Sequence, residues 1–389
     1  MRITALALLC LASLGFAPAL LGQTTPPSAP APAPAVRPAS SDRGAAALNA
    51  SAKPLTVKVV LVTAFEVGKA TGDRPGEMQF FVERIPLKET AAFPYGQMDL
   101  QLNSDLGIVG LVTGMGTRQA AAAVTALGLD SRFDLSRAYW IVGGIAGVDP
   151  QDGTVGSVAW AHWVVDANLA HLVDLRDAPK DWETGYFPLF RRQPYQKPLR
   201  RADKEGLVYS LNQSLANWAF SNTTSSPLPS SDSLQRLREK YPDGCAARNA
   251  PSVLKGAVLS GSTFWVGEHL NKWANDWVAY WTEGQGNFVM TCMEDSGSMQ
   301  ALTLLSKAGK ADFSRVLVVR AASDLTVPPP GESTINHLNN DGLGYLTSVE
   351  SFYRAASTIA AKLVEGWPDY EQRPPVTAGT SENGEKSKR

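Results

Sequence analysis

Apolar runs recur along the chain at Val57–Ala64, Leu106–Thr113, Arg137–Val142, Lys255–Ser260, Asn287–Cys292 and Val316–Val319. They are short, rich in β-branched residues and almost without polar alternation, as expected of strands buried on both faces. Val155–Trp160 and Trp163–Asp166 read as two further strands, as in a hairpin past Gly153. Between these runs lie segments of helical spacing: the Ala-rich Thr117–Leu129, Gly267–Trp281, the stretch after Asp295, and Ser348–Val364. In Gly267–Trp281 the residues Trp273, Trp277 and Trp281 recur at i, i+4 and i+8, which marks one buried helix face. Strand and helix alternate over most of the chain. The pattern predicts an α/β fold with a mostly parallel or mixed sheet and helices on both faces.

Three stretches break this rhythm. Leu175–Asn249 is polar and interrupted by Pro179, Pro188, Pro194 and Pro198. It is expected to be an inserted excursion, a lid or an oligomer contact, with helices over Asp203–Asn217 and Ser233–Lys240. Residues 1–23 have a positive start, an apolar Ile3–Leu21 run and small residues before Gly22, the pattern of a secretory signal peptide. The Pro/Ala-rich residues 24–53 then read as a disordered linker, residues 54–370 as the folded domain and 371–389 as a disordered tail. An exported protein, periplasmic or extracellular, follows as the expectation. No later run approaches the roughly 20 apolar residues of a membrane span.

A net charge of −1 supplies no field for nucleic acid or an acidic membrane, so the ligand expected is small and roughly neutral. Beyond the apolar N-terminal run the cysteines are Cys245 and Cys292. In an oxidising compartment they could form a disulfide, or stand as two buried thiols. His162 and His171 have no cysteine or carboxylate cluster nearby, so no metal and no cofactor are expected.

The chemistry-bearing residues gather at strand ends. Glu294 follows the Asn287–Cys292 run and Asp324 follows Val316–Val319. In open α/β sheets, ligands bind outside the carboxyl ends of strands. Gly114-Met115-Gly116 joins a strand to a helix start, where free N–H groups can cradle an anion or merely permit a tight turn. Gly143, Gly144 and Gly147 allow close backbone approach by a ligand or a neighbouring helix. Phe264 and Trp265 sit at another strand end, where an aromatic ring can stack on a planar ligand. Against these readings, Asp324 can be a helix N-cap and Glu294 a first-turn acid complementing a helix dipole.

Five motifs occur in order: G-M-G-T-R-Q-A-A-A-A (Gly114–Ala123), V-G-G-I-A-G-V-D-P (Val142–Pro150), S-G-S-T-F-W (Ser260–Trp265), M-E-D-S-G (Met293–Gly297) and R-A-A-S-D (Arg320–Asp324). Together they resemble the nucleoside phosphorylase and nucleosidase superfamily, and within it the purine nucleoside permease family, over about Val57 to Leu363. The resemblance implies a three-layer phosphorylase/hydrolase-like α/β fold, with a central mixed sheet flanked by helices. It implies that Met293 packs on a ribose whose hydroxyls Glu294 binds, that Asp324 contacts the purine N7 side or passes a proton to it, and that Ser323 beside it binds substrate. Phe264 would stack near the base. Gly114, Gly116 and Gly144 would line the ribose and anion side. Glu66, at the end of the first strand, aligns with the water-activating acid of the nucleosidases.

The chain departs from the phosphorylases at Ile141, where those enzymes carry a phosphate-binding arginine; Arg118 and Arg74 are the candidate replacements. Asp295 stands where a small residue is usual after Met-Glu. The activity implied is cleavage of a purine nucleoside by phosphate or water, with phosphate a candidate co-substrate. The alternative is a non-catalytic nucleoside-binding protein that supports uptake. Superfamily members are generally oligomers, so a homo-oligomer is implied.

Overall fold

The computed structural model describes residues 53–197, 204–339 and 341–377. The segments read as signal peptide and linker, apart from Lys53, and the end of the tail lie outside the described residues. Ten strands form the main sheet: β1 (Val59–Thr63), β2 (Glu89–Ala91), β3 (Leu100–Asn103), β4 (Ile108–Val112), β5 (Tyr139–Val148), β6 (Val158–Asp166), β7 (Val208–Ser210), β8 (Val253–Ser260), β9 (Phe288–Cys292) and β10 (Val316–Leu325). The helices that concern us are α1 (Gln79–Arg84), α2 (Thr117–Gly128), α3 (Gln213–Thr223), α4 (Asp232–Arg238), α5 (Glu268–Trp281), α6 (Asp295–Lys307), α7 (Thr334–Asn339) and α8 (Tyr345–Glu365).

The fold is a mixed α/β sheet with helices on both faces. Alternate residues of β1 face opposite layers: Val59 and Leu61 join the core beneath α1, α3 and α8, while Val60 and Val62 join the core beneath α2 and α6. That two-sided burial explains the unbroken apolar run. A third cluster packs Trp273, Trp277 and Trp281 of α5 against Ala257 and Leu259 of β8, so the tryptophan stripe is core.

Sheet pairing closes on itself at one end. β5 pairs with β10, β10 with β6, β6 with β8, β8 with β9, and β9 returns to β5 through Met290 and Thr291. From β5 the sheet continues openly through β1, β4, β3 and β2. The closed part brings the ends of β5, β9 and β10 together.

Several expectations need correcting. Val155–Trp160 and Trp163–Asp166 are not two strands of a hairpin; β6 is one strand that runs through His162, and its neighbours are β10, β8 and β7. The glycines after Val142 lie within β5. A Cβ at Gly143 would overlap the Val319 carbonyl and the Phe352 ring of α8, so its bareness serves strand and helix packing. β10 does not stop at Val319 but continues through Arg320 and Asp324: β5 pairs along its length to Leu325, and β6 flanks it at Val319–Ala321.

In the polar excursion, the expected helix over Asp203–Asn217 is displaced. Val208–Ser210 pairs with β6, and α3 starts only after Asn212, whose side chain caps it by accepting from the Leu215 N–H. Leu215 and Trp218 of that helix are part of the core, so this portion is integral to the domain.

Cys245 and Cys292 are both free and buried. The Cys245 thiol donates to the Pro150 carbonyl, and that of Cys292 to Asp295. They are two separate thiols rather than a bridge.

Candidate functional site

A cavity of about 260 Å³ opens where β5, β9 and β10 end. Met293, Glu294, Phe264, Ser323 and Asp324 all line it, and Glu77 completes its acidic wall. Five residues named from the sequence therefore meet at one place, although they come from three separate stretches of chain.

Each side chain has a local cause. Glu294 lies just past β9, at the N-terminus of α6, and is buried. Its Oε1 accepts from the Gly116 N–H at 3.1 Å and its Oε2 from Arg320 Nη2 at 3.2 Å. The glycine turn thus presents its N–H to a carboxylate of the protein itself, while Met115 between the two glycines reaches the cavity mouth. Asp324 follows a bulge in β10: Ala322 faces Ala146 and Asp324 faces Gly147, which leaves Ser323 as the extra residue. Bulges re-aim side chains, and here both Ser323 and Asp324 reach the wall. Ser323 Oγ donates to Asp324 Oδ1 at 2.8 Å, and that hydroxyl also lies 3.1 Å from the Ala146 carbonyl.

Glu77 escaped the sequence reading. It sits beyond the Phe65–Gly76 loop, which folds back so that the Glu77 N–H donates to the Phe65 carbonyl at 3.0 Å. Its carboxylate accepts from the N–H groups of Ala64 and Ile145, each at 2.7 Å. Burial pushes the Glu77 carboxyl up to about 7; the Arg320 charge opposes the shift and the Glu294 charge adds to it. A Cβ at Gly144 would overlap the Glu77 carboxylate. Gly144 is therefore not a lining residue; its missing side chain makes room for the acid that is.

Glu66 points elsewhere. Its carboxylate accepts from the N–H groups of Val67, Gly76, Met78 and Gln79, which organises the loop, and it does not line the cavity. Of these two acids only Glu77 reaches the cavity wall. No spacing rule separates the two acids, since only the fold of the loop chooses between them.

Arg320 is the second residue the sequence left without a role. Burying a guanidinium is costly unless it is paired and hydrogen-bonded. Here it pairs with both Asp295 oxygens and with Glu294, and donates to the Ile145 carbonyl at 3.2 Å. Despite burial, the neighbouring carboxylates raise its pKa well above the usual value. Asp295, fully buried, also accepts from the Cys292 thiol at 3.0 Å. Burial pushes that thiol up, which keeps it protonated.

None of Gly114, Gly116 and Arg118, the residues expected on an anion side, lines the cavity. Arg118 is exposed on α2 and lines no part of the cavity. Arg74 lies over the Tyr345 ring at 4.3 Å. Ile141 is fully buried in the core. Gly114 and Gly116 turn the chain at φ near +90° and lie behind Met115. The lining residues include no lysine, arginine or histidine. Among the described residues, no group of three or more His, Cys, Asp or Glu is placed to hold a metal ion.

A largely apolar cavity with an acidic wall, at the strand ends of a mixed α/β fold, has the form of a small-molecule site. The chain belongs to the purine nucleoside permease family, whose model, described as "Purine nucleoside permease (NUP)", matches residues 56–375. A purine nucleoside permease of Candida albicans is 29% identical over 274 residues, covering 69% of this chain and 67% of the relative. A probable purine nucleoside permease of Schizosaccharomyces pombe is 28% identical over 284 residues, covering 68% and 78%. Among solved structures, the Streptococcus pneumoniae MTA/SAH nucleosidase in complex with 8-aminoadenine aligns over 79% of this chain and 99% of its own, at 16% identity and a TM-score of 0.47. The futalosine hydrolase of Helicobacter pylori aligns over 79% and 98%, at 12% and 0.46.

Proposed function

We propose that the protein binds purine nucleosides in this cavity and hydrolyses their N-glycosidic bond, acting outside the cytoplasm as its apolar N-terminal segment would direct. The observation that carries this reading is the convergence of Glu77, Glu294 and Asp324 on one cavity of nucleoside size, with Met293 and Phe264 on its walls.

In this reading Glu294, held by Arg320 and Gly116, accepts hydrogen bonds from the ribose hydroxyls and fixes the sugar. Glu77, poised near neutrality, takes a proton from water while the water oxygen bonds to C1′. The C1′–N9 bond breaks and its electron pair moves to the purine. Asp324 donates a proton to N7, which shares a ring with N9, so the base leaves neutral. General acid–base assistance of this kind contributes typically about 10²–10⁴-fold.

Water is favoured over phosphate as the attacking group by the lining itself. A phosphate beside three carboxyl groups and no cation would meet only like charge. A second reading, capture of the nucleoside without cleavage, draws on the open mouth, where Met115 and Phe264 are 61% and 47% exposed. One experiment separates them. The purified protein is incubated with inosine, adenosine or guanosine, with and without phosphate, and free base is measured. Hydrolysis predicts equal release in both conditions, and a phosphate requirement would overturn it. Saturable binding with no release in either condition would establish capture.

A further inference from the structure

A second hollow, of about 870 Å³, lies against the nucleoside cavity. Ser323 and Asp324 line both spaces, so the two meet at the side chain that would protonate the leaving base. The far walls come from the end of α4, the Pro329–Ser333 turn and α7. They are tied in place by side-chain bonds. The buried His337 Nε2 donates to the carbonyl of Leu325, the residue after Asp324, at 2.8 Å, and Lys240 Nζ pairs with Glu332 at 3.3 Å. That pair is neutral as a unit. Val155, Leu237, Leu325 and Pro329 supply apolar wall.

The nucleoside cavity has room for a nucleoside and little beyond it, whereas the hollow past Asp324 is more than three times as large. The orientation of the base connects them. A purine that presents N7 to Asp324 presents its 6-position along the same edge, because the two positions are neighbours on the ring system. A group attached there and turned toward the N7 side runs past Asp324 and Ser323. We infer that the second hollow is a base-side subsite, and that the protein takes purine nucleosides carrying an uncharged alkyl or aryl group at the 6-position. The inference rests on the nucleoside reading above and specifies its substrate class.

Adenosine and N6-benzyladenosine are compared on the full protein, by base release and by calorimetric binding. The benzyl compound is expected to be handled within about tenfold of adenosine. Filling the hollow by Asn336→Trp, or independently by Leu237→Trp, is expected to lower the benzyl-to-adenosine ratio of kcat/KM at least about tenfold, the scale of discrimination by pocket sterics. The ratio cancels any general loss of folded protein. If adenosine is processed or bound and the benzyl compound is rejected, or if the ratio moves in neither variant, the subsite is wrong and the nucleoside reading survives. If neither nucleoside is bound, both fail.

Discussion

Asp295 and Arg320 set the electrostatics of the site without lining it. Asp295 neutralises a guanidinium that in turn holds Glu294 and pulls against the upward shift of Glu77. Removing one partner of a buried pair leaves an uncompensated charge and typically costs about 3–5 kcal/mol. Asp295→Ala should therefore lose stability on that scale in denaturant titration, and weaken nucleoside binding through a loosened Glu294. Asp324→Asn should cut turnover while largely sparing binding, and Glu294→Gln should weaken binding; calorimetry and base release distinguish the two. If neither variant moves either quantity, the site is misassigned. Glu77 gives the pH dependence. As a base it acts only when ionised, so the acid limb of kcat/KM should rise with pH through about 7, and Glu77→Gln should remove that limb. Its folded pKa lies above the unfolded value, so the stability it contributes is present at low pH and lost as pH rises from about 4.5 to about 7. On the order of 3 kcal/mol is at stake. Denaturation at pH 5 and pH 8 should show this slope in the wild type and a flatter one in the Gln variant.

Among the elements, β5 carries the tightest constraints. Gly143 faces the backbone of β10, which cannot move aside, and Gly144 faces the carboxylate of Glu77, a side chain that can. Gly143→Ala should destabilise by about 1–3 kcal/mol or more, the usual cost of overpacking. Gly144→Ala should displace Glu77 and also strain a backbone held at φ +154°, so kcat and melting temperature should both fall. Thermal melts set beside base release would separate the two outcomes. The element scale also shows what the chain made legible. Val59–Thr63 and Ile108–Val112 are legible because both faces are buried and all their residues but Thr63 are apolar or glycine. The Arg320–Asp324 half of β10 is not, since its polar residues are held extended by pairing with β5, joined by β6 only as far as Ala321. Val208–Ser210 lies in a segment of helical spacing and is a strand only because it pairs with β6.

At the scale of the molecule, a ligand that binds only the folded state stabilises it, by about 2.7 kcal/mol at a hundred times Kd. Inosine should raise the melting temperature of the wild type, and much less that of Glu294→Gln; an equal shift in both would place the ligand elsewhere. The sequence by itself determined the α/β class, the family and five of the residues that meet in the cavity, because apolar runs and motif residues are local properties of the chain. Tertiary structure alone decided which acid of the Phe65–Glu77 region faces the cavity. It decided that Arg320 is enclosed by Asp295 and Glu294, that Gly116 serves Glu294, and that Asp324 stands between two hollows. Those outcomes depend on where a loop folds back, on a one-residue bulge and on a sheet closing upon itself, and each of these is a relation between segments far apart in the chain.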